Sequence, residues 1–220
     1  MREASLRQAA AELRYLLERG YPLEASLSLV GNRHDLARPE RDVLRRGVVA
    51  PALAQARRSK LLSSSQIAGQ SLAVDGHNQL ITLESAIRGK PVVAAGDGFV
   101  RDVSRAARTY RPSPVSRQAM AMLLALIGRA QPRSVLFLFD APVSGSGELA
   151  ALVRRALSEA SLAGEARAAP YPEAELVGHR GPVATADGGL IGRCAAVVDL
   201  AGEIIRANFS HLLLNLEAAP

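Results

Sequence analysis

Four short apolar runs in this chain end in an aspartate: SLAVD (71–75), SVLFLFD (134–140), GPVATAD (181–187) and AAVVD (195–199). Runs this short, apolar at nearly every position, fit strands covered on both faces. Helix-patterned segments separate them, at about 80–88, 115–130 and 147–160. PVVAAGDG (91–98) and GEARAAPY (164–171) read as further strands. Strands alternating with helices predict βαβ units and therefore an α/β fold on a mainly parallel sheet. With tryptophan absent and aromatics at 4%, the core must be built from Leu, Val, Ile and Ala.

The first third reads differently. Leu6, Ala10, Leu13 and Leu17 recur at helical spacing, and Gly20 is placed to stop that helix. Pro22, Pro39 and Pro51 each open another short helix, with Gly31 and Gly47 as the stops of the first two. Residues 1–66 thus predict a small all-α domain, and 67–220 the α/β domain, with LLSSSQIAGQS (61–71) as the junction. The net charge of +6 is concentrated in residues 1–66, where 12 Lys/Arg face 7 Asp/Glu. Such asymmetry suits a polyanion-facing surface, and suits equally a solvated helical surface rich in arginine.

Cys194 is alone, which excludes an intrachain disulfide or a cysteine zinc cluster and accords with a reducing, cytoplasmic setting. The opening MREASLRQ is charged and amphipathic, unlike a secretory signal, and no apolar stretch nears ~20 residues, so no membrane span is expected. A homo-oligomer is compatible with this composition.

The aspartates carry the chemistry. In a parallel α/β sheet the strand C-terminal ends share one edge, and ligands bind in the crevice outside it. If these strands are neighbours, Asp75, Asp140 and Asp187 meet there, and Asp97 and Asp102 of GDGFVRD (96–102) are placed to join from the following loop. Gathered carboxylates raise one another's pKa unless a cation neutralises them, and hard oxygen ligands favour Mg²⁺ or Mn²⁺. Asp97 and Asp102 have a second reading, as partners of Arg101 and Arg105. Asn78 either orients a water or phosphate or braces its own loop; His77 reads as structural or solvent-facing.

VDGHNQL (74–80), LFLFDAP (136–142) and VATADGGLI (183–191), in that order, resemble the PIN-like nucleases, in particular their NYN-type branch. The resemblance spans about residues 70–205 and implies a three-layer PIN-like fold. It also implies a site of Asp75 with Asn78, Asp140 and Asp187, metal-dependent cleavage of RNA and sometimes DNA, and inactive members. Glu84 falls where many PIN domains carry a helical glutamate. The whole chain further resembles an uncharacterised prokaryotic family joining a small helical domain to such a domain, through SLVGNRHDL (28–36), ITLESAI (81–87), DGFVRDVS (97–104) and FDAPVSGSGELA (139–150).

Other chemistries are poorly served. GSGELA (145–150) matches a dinucleotide fingerprint formally, but its first glycine comes five positions after Asp140 rather than in the turn closing the strand. There is no Walker sequence and no nucleophile elbow. In the helical third, Asn32, Arg33, His34, Arg41, Arg45 and Arg46 form a basic cluster able either to hold phosphate backbone or to pair with nearby acids. The expectation is a Mg²⁺- or Mn²⁺-dependent endoribonuclease with Asp75, Asp140, Asp187 and Asn78 at the site. Asp97 is a further metal ligand in this scheme, Glu84 and Asp102 are helpers, and Arg33, His34, Arg41 and Arg45 hold nucleic acid. The alternatives are a non-catalytic PIN-like module binding RNA or protein, and a small-molecule phosphohydrolase.

Overall fold

A computed structural model describes residues 3–103 and 110–216. Four helices come first: α1 (Glu3–Glu18), α2 (Leu23–Arg33), α3 (Arg38–Gly47) and α4 (Pro51–Arg58). The prolines stand at the first turns of α3 and α4, where a missing N–H leaves no helical bond unmade. Gly31, expected to stop α2, lies inside it instead: the Arg41 guanidinium packs where a Cβ would stand, 2.5 Å away.

β1 (Leu61–Leu62) follows, then β2 (Ser71–Asp75), α5 (Gly76–Ile87), β3 (Val92–Ala94), β4 (Val100–Asp102), α6 (Pro114–Ala130), β5 (Ser134–Asp140), α7 (Ser146–Glu159) and β6 (Gly164–Ala169). The chain continues with α8 (Pro172–Gly178), β7 (Val183–Ala184), α9 (Gly188–Arg193), β8 (Val197–Val198), α10 (Leu200–Asn208) and β9 (Leu213–Asn215).

Six strands form one sheet in the order β1-β8-β7-β2-β5-β6, every pair parallel. The fold is therefore α/β on a parallel sheet. Alternation along the strands divides two cores. Leu72, Val74, Phe137 and Phe139 pack against α5, α6, α7 and α10, while Ala73, Leu138, Val183 and Val197 pack against α8 and α9.

Two expectations are corrected. PVVAAGDG does contain a strand, but β3 joins a separate three-stranded sheet, β4-β3-β9, with β4 antiparallel to it. Residues 1–66 are not wholly helical, because Leu61–Leu62 pair with Val197–Val198 at the edge of the large sheet. The helical core of α1–α3 also takes in Val93 of β3 and Leu216, so it is sealed by residues from the far end of the chain.

Candidate functional site

The order of the large sheet fixes where a ligand crevice belongs. From β2 the chain moves outward to β5 and β6, then returns to β7 on the other side of β2 and moves outward to β8. The direction of winding thus reverses between β2 and β7, and the crevice of such sheets opens at the C-terminal ends of the strands at that point. Asp75 ends β2, and Thr185, Ala186 and Asp187 follow β7. On the other side of β2, Asp75 is paired in register with Leu138, so Asp140 lies two residues further along β5. With ~3.3 Å per residue and ~4.8 Å between strands, the Asp75 and Asp140 Cα atoms are about 8 Å apart.

Hydrogen bonds tie this rim together. Thr185 Oγ1 donates to Asp75 Oδ2 at 3.0 Å and accepts from the Asp187 N–H at 3.1 Å. The Asn78 N–H donates to Asp75 Oδ1 at 3.3 Å. Asn78 Oδ1 accepts from the Ala186 N–H at 2.8 Å and from Gln79 Nε2 at 3.1 Å. Asn78 is therefore a brace between the ends of β2 and β7, the second of the two roles open to it. Asp187 Oδ1 accepts the N–H groups of Gly189 and Leu190.

These bonds give the recurrent strand-end aspartate a local cause. Asp75, Asp187 and Asp199 are the N-caps of α5, α9 and α10, each accepting from backbone N–H groups of its helix. Asp140 is different, since the N-cap of α7 is Gly145. Its carboxylate is about half exposed, and Oδ2 lies 3.3 Å from His77 Nδ1. The Asp140 N–H donates to the same ring nitrogen at 3.1 Å. His77 is buried, edge-on to the Tyr110 and Phe139 rings, and its burial pushes its pKa down against the pull of Asp140. Accepting that N–H requires an unprotonated Nδ1, so His77 is a neutral anchor for Asp140.

The rim has an unusual electrostatic balance. Asp75 is pushed up to about 7, chiefly by burial; the bonds from Thr185 and Asn78 oppose this, and the charges of Asp187 and Asp140 add to it. Among the described residues neither Asp75 nor Asp187 forms an ion pair with a Lys or Arg side chain. The three predicted acids thus share one edge, Asp75 feels the charges of the other two, and neutral His77 lies beside Asp140.

The remaining predicted residues lie elsewhere. Asp97 is fully buried in the β3–β4 hairpin, where Arg101 grips both its oxygens at 2.8 Å and Arg57 adds a third bond at 2.8 Å. These two guanidinium groups hold its pKa below the usual range despite its burial, and they leave no role for a metal there. Arg105, also considered as its partner, lies outside the described residues. Glu84 is buried on α5, accepting from Tyr110 Oη at 2.5 Å and Arg88 Nη2 at 3.2 Å, so it braces α5 against neighbouring chain instead of serving the rim. Asp102 ends β4, opposite Val92, in the small sheet.

The predicted nucleic-acid cluster is largely bound internally. His34 Nε2 is 3.0 Å from Glu12 and Arg33 Nε 3.5 Å from the same carboxylate. Arg41 donates to the Leu36 carbonyl and to Asn32 Oδ1, and Arg45 pairs with Glu24 at 2.8 Å. Arg33 alone of these projects mostly into solvent.

Comparison with known families places both halves. The family described as "Domain of unknown function (DUF5616)" matches residues 64–203, and "Protein of unknown function (DUF434)" matches residues 5–60. The chain belongs to the DUF5616 family. This DUF5616 chain is similar to "Uncharacterized protein MJ0935" of Methanocaldococcus jannaschii, 30% identical over 203 residues, which covers 91% of this chain and 97% of that protein. No solved structure matches it. In this DUF5616 chain Asp75, Thr185 and Asp187 all fall in the matched region, as does Asp140. Thr185 could not be singled out by pattern, because only the pairing of β7 with β2 brings it to Asp75.

Among the described residues no three His, Cys, Asp or Glu side chains are drawn together into a metal shell. The DUF5616 rim therefore does not fit a closed site such as zinc's. It does fit a magnesium-type ion, which takes one or two carboxylates and keeps water in its other positions. Such an ion would favour the ionised form of Asp75, which burial chiefly opposes.

Proposed function

We propose that this protein is a Mg²⁺- or Mn²⁺-dependent endoribonuclease with a PIN-like α/β domain. The observation that carries the reading is Asp75: a carboxylate at the topological reversal of the sheet, raised to about 7 beside Asp140 and Asp187, with no cationic partner among the described residues. Without an ion such a group both takes and returns a proton at neutral pH, and a bound divalent ion would hold it ionised. Asp140, half exposed and anchored by His77, is accessible to a water or a substrate hydroxyl. Thr185 and Asn78 are positioning residues that fix Asp75 and the β7 end.

Of the three acids Asp75, Asp187 and Asp140, one or two would hold the ion directly and the rest would reach it through its waters. When bound it polarises a phosphodiester and acidifies a water. The chain's own residues set the angle of the carboxylates, through the N-caps of α5 and α9, and accept the proton released by the attacking group.

The test uses end-labelled single-stranded RNA with Mg²⁺ or Mn²⁺ and, separately, EDTA. Cleavage by the native protein that needs the divalent ion, and that falls at least ~10²-fold in Asp75→Asn and Asp140→Asn while RNA affinity persists, supports the reading. No divalent-dependent cleavage of RNA by the native protein refutes it. The open spacing of the three acids favours one second reading, a non-catalytic RNA-binding module, which predicts binding without cleavage.

A further inference from the structure

A cavity of about 270 Å³ lies between the helical part and the α/β part, walled by Arg45, Arg46, Arg57, Arg101, Leu53 and Gly188 among others. Four arginines thus line one space. The acids paired with them are Asp97, shared by Arg57 and Arg101, and Glu24, held by Arg45. The lining therefore keeps a net charge of about +2 after these pairs are counted. Arg46 is exposed, and among the described residues its guanidinium has no partner.

Two buried donors here are also unsatisfied. Arg45 Nε and Arg57 Nε have no hydrogen-bond partner. A buried N–H left unpaired is costly. Both atoms are closed off from solvent, so the outer guanidinium N–H groups and the net charge are what an anion would meet in the cavity. Its volume suits a phosphate with a few waters, each of which occupies about 30 Å³. Clustered arginines favour phosphate through charge and forked donor geometry.

The cavity abuts the acidic rim. Arg57 Nη2 donates to the Gly188 carbonyl at 2.9 Å, and Arg101 Nε to the Ala186 carbonyl at 2.8 Å, so the two arginines flank Asp187. Leu17, Leu23 and Leu53 add an apolar side that suits the carbon of an ester better than free phosphate. We infer that this interdomain cleft seats a backbone phosphate of a polynucleotide, next to the one that reaches Asp187. The polynucleotide itself is taken from the function proposed above. The site extends beyond the cluster anticipated on α2 and α3, sharing Arg45 and Arg46 with it and adding Arg57 and Arg101.

The experiment measures anisotropy of a fluorescein-labelled 12-mer single-stranded RNA in EDTA, across a salt series, alongside cleavage in Mn²⁺. Arg46→Gln removes a lining charge without breaking an internal bond, and Leu53→Asp places a carboxylate in the wall at a residue already 44% exposed. Arg129→Gln, at the exposed end of α6, is the control. Arg46→Gln should weaken binding about 3–10-fold at low salt and lower the slope of log K against log salt by about 0.7. Leu53→Asp should weaken it at least ~10-fold, and Arg129→Gln should do neither.

Unchanged RNA affinity in both cleft variants, or an equal loss in the control, overturns the inference, even if inorganic phosphate raises the Tm of the native protein. That last result would assign the cleft to a free phosphate compound. Cleavage present with cleft variants that bind normally sinks the cleft alone. Binding lost in them with no cleavage by the native protein sinks the nuclease alone.

Discussion

Replacing Asp75 by asparagine is expected to make the protein more stable at pH 8, and no more stable at pH 3.5. Burial, with the charges of Asp187 and Asp140, carries the Asp75 pKa from 3.8 to about 7. At 1.36 kcal/mol per tenfold change in proton affinity, ionising it in the folded state opposes folding by roughly 4 kcal/mol. Solvent reaching its open side reduces this to about 3 kcal/mol. Below pH 3.8 both folded and unfolded chains hold the proton, and nothing is lost. As the pH rises from there towards 7, the unfolded chain gives up its proton first, so the folded state binds more protons and stability falls.

Asparagine never ionises, but its amide group must face either the Asn78 N–H or the Thr185 hydroxyl, which forfeits about 1 kcal/mol of hydrogen bonding. The net gain at pH 8 is about 2 kcal/mol, a rise of about 4–8 °C in Tm for a chain of this size. Thermal melts of both proteins in EDTA at pH 3.5, 6 and 8 measure it. A difference that stays constant with pH, or a less stable variant at pH 8, refutes the electrostatic account of the rim. Adding Mg²⁺ to about 100 times its Kd should raise the stability of the native protein by about 2.7 kcal/mol and leave the variant behind.

A residual loss of stability between about pH 4 and 6 should persist in Asp75→Asn melts, because buried Asp199 is itself raised to about 6, mainly by burial; a flat profile there would refute it. Gly76→Ala should destabilise by about 1–3 kcal/mol in urea titrations, since a Cβ there is driven into the Phe139 ring; a change below ~0.5 kcal/mol would show that α5 yields freely. Asp97→Ala should cost about 3–5 kcal/mol, leaving Arg57 and Arg101 without their buried counter-charge, and is checked by the same titration.

The sequence pattern reveals the parallel sheet because β2, β5 and their neighbours are apolar runs whose alternate residues meet two different cores. Asp75, Asp140 and Asp187 come to one edge for the same reason, through topology that such runs dictate. Their hydrogen bonds are less legible. Asp75 and Asp187 are helix caps as well as rim acids, and a cap and a ligand look alike in one dimension. The start of α5 was hidden because Gly76, His77 and Asn78 resemble a turn, yet Gly76 is there to pass the Phe139 ring and His77 to hold Asp140. Strands of two or three residues, such as β1, β7 and β9, carry too few side chains for any period to show. Asp97 reads as a rim acid only if its strand belongs to the large sheet; what removes it is the hairpin with nearby β4 and the pairing of β3 with β9, more than a hundred positions away.

Gly47 sits where a Cβ would meet Val93 and Leu216 at 2.6 Å, and its carbonyl accepts the Gly96 N–H. Together with the lone ladder of Leu61–Leu62, this stitches the start of the chain to its end. The two family segments that meet near residue 60 are thus neighbours in inheritance but not separable parts. Cutting the gene at that border would strip one piece of its outermost strand and lay bare oily surface on both. Recombination could exchange either half only together with its counterpart.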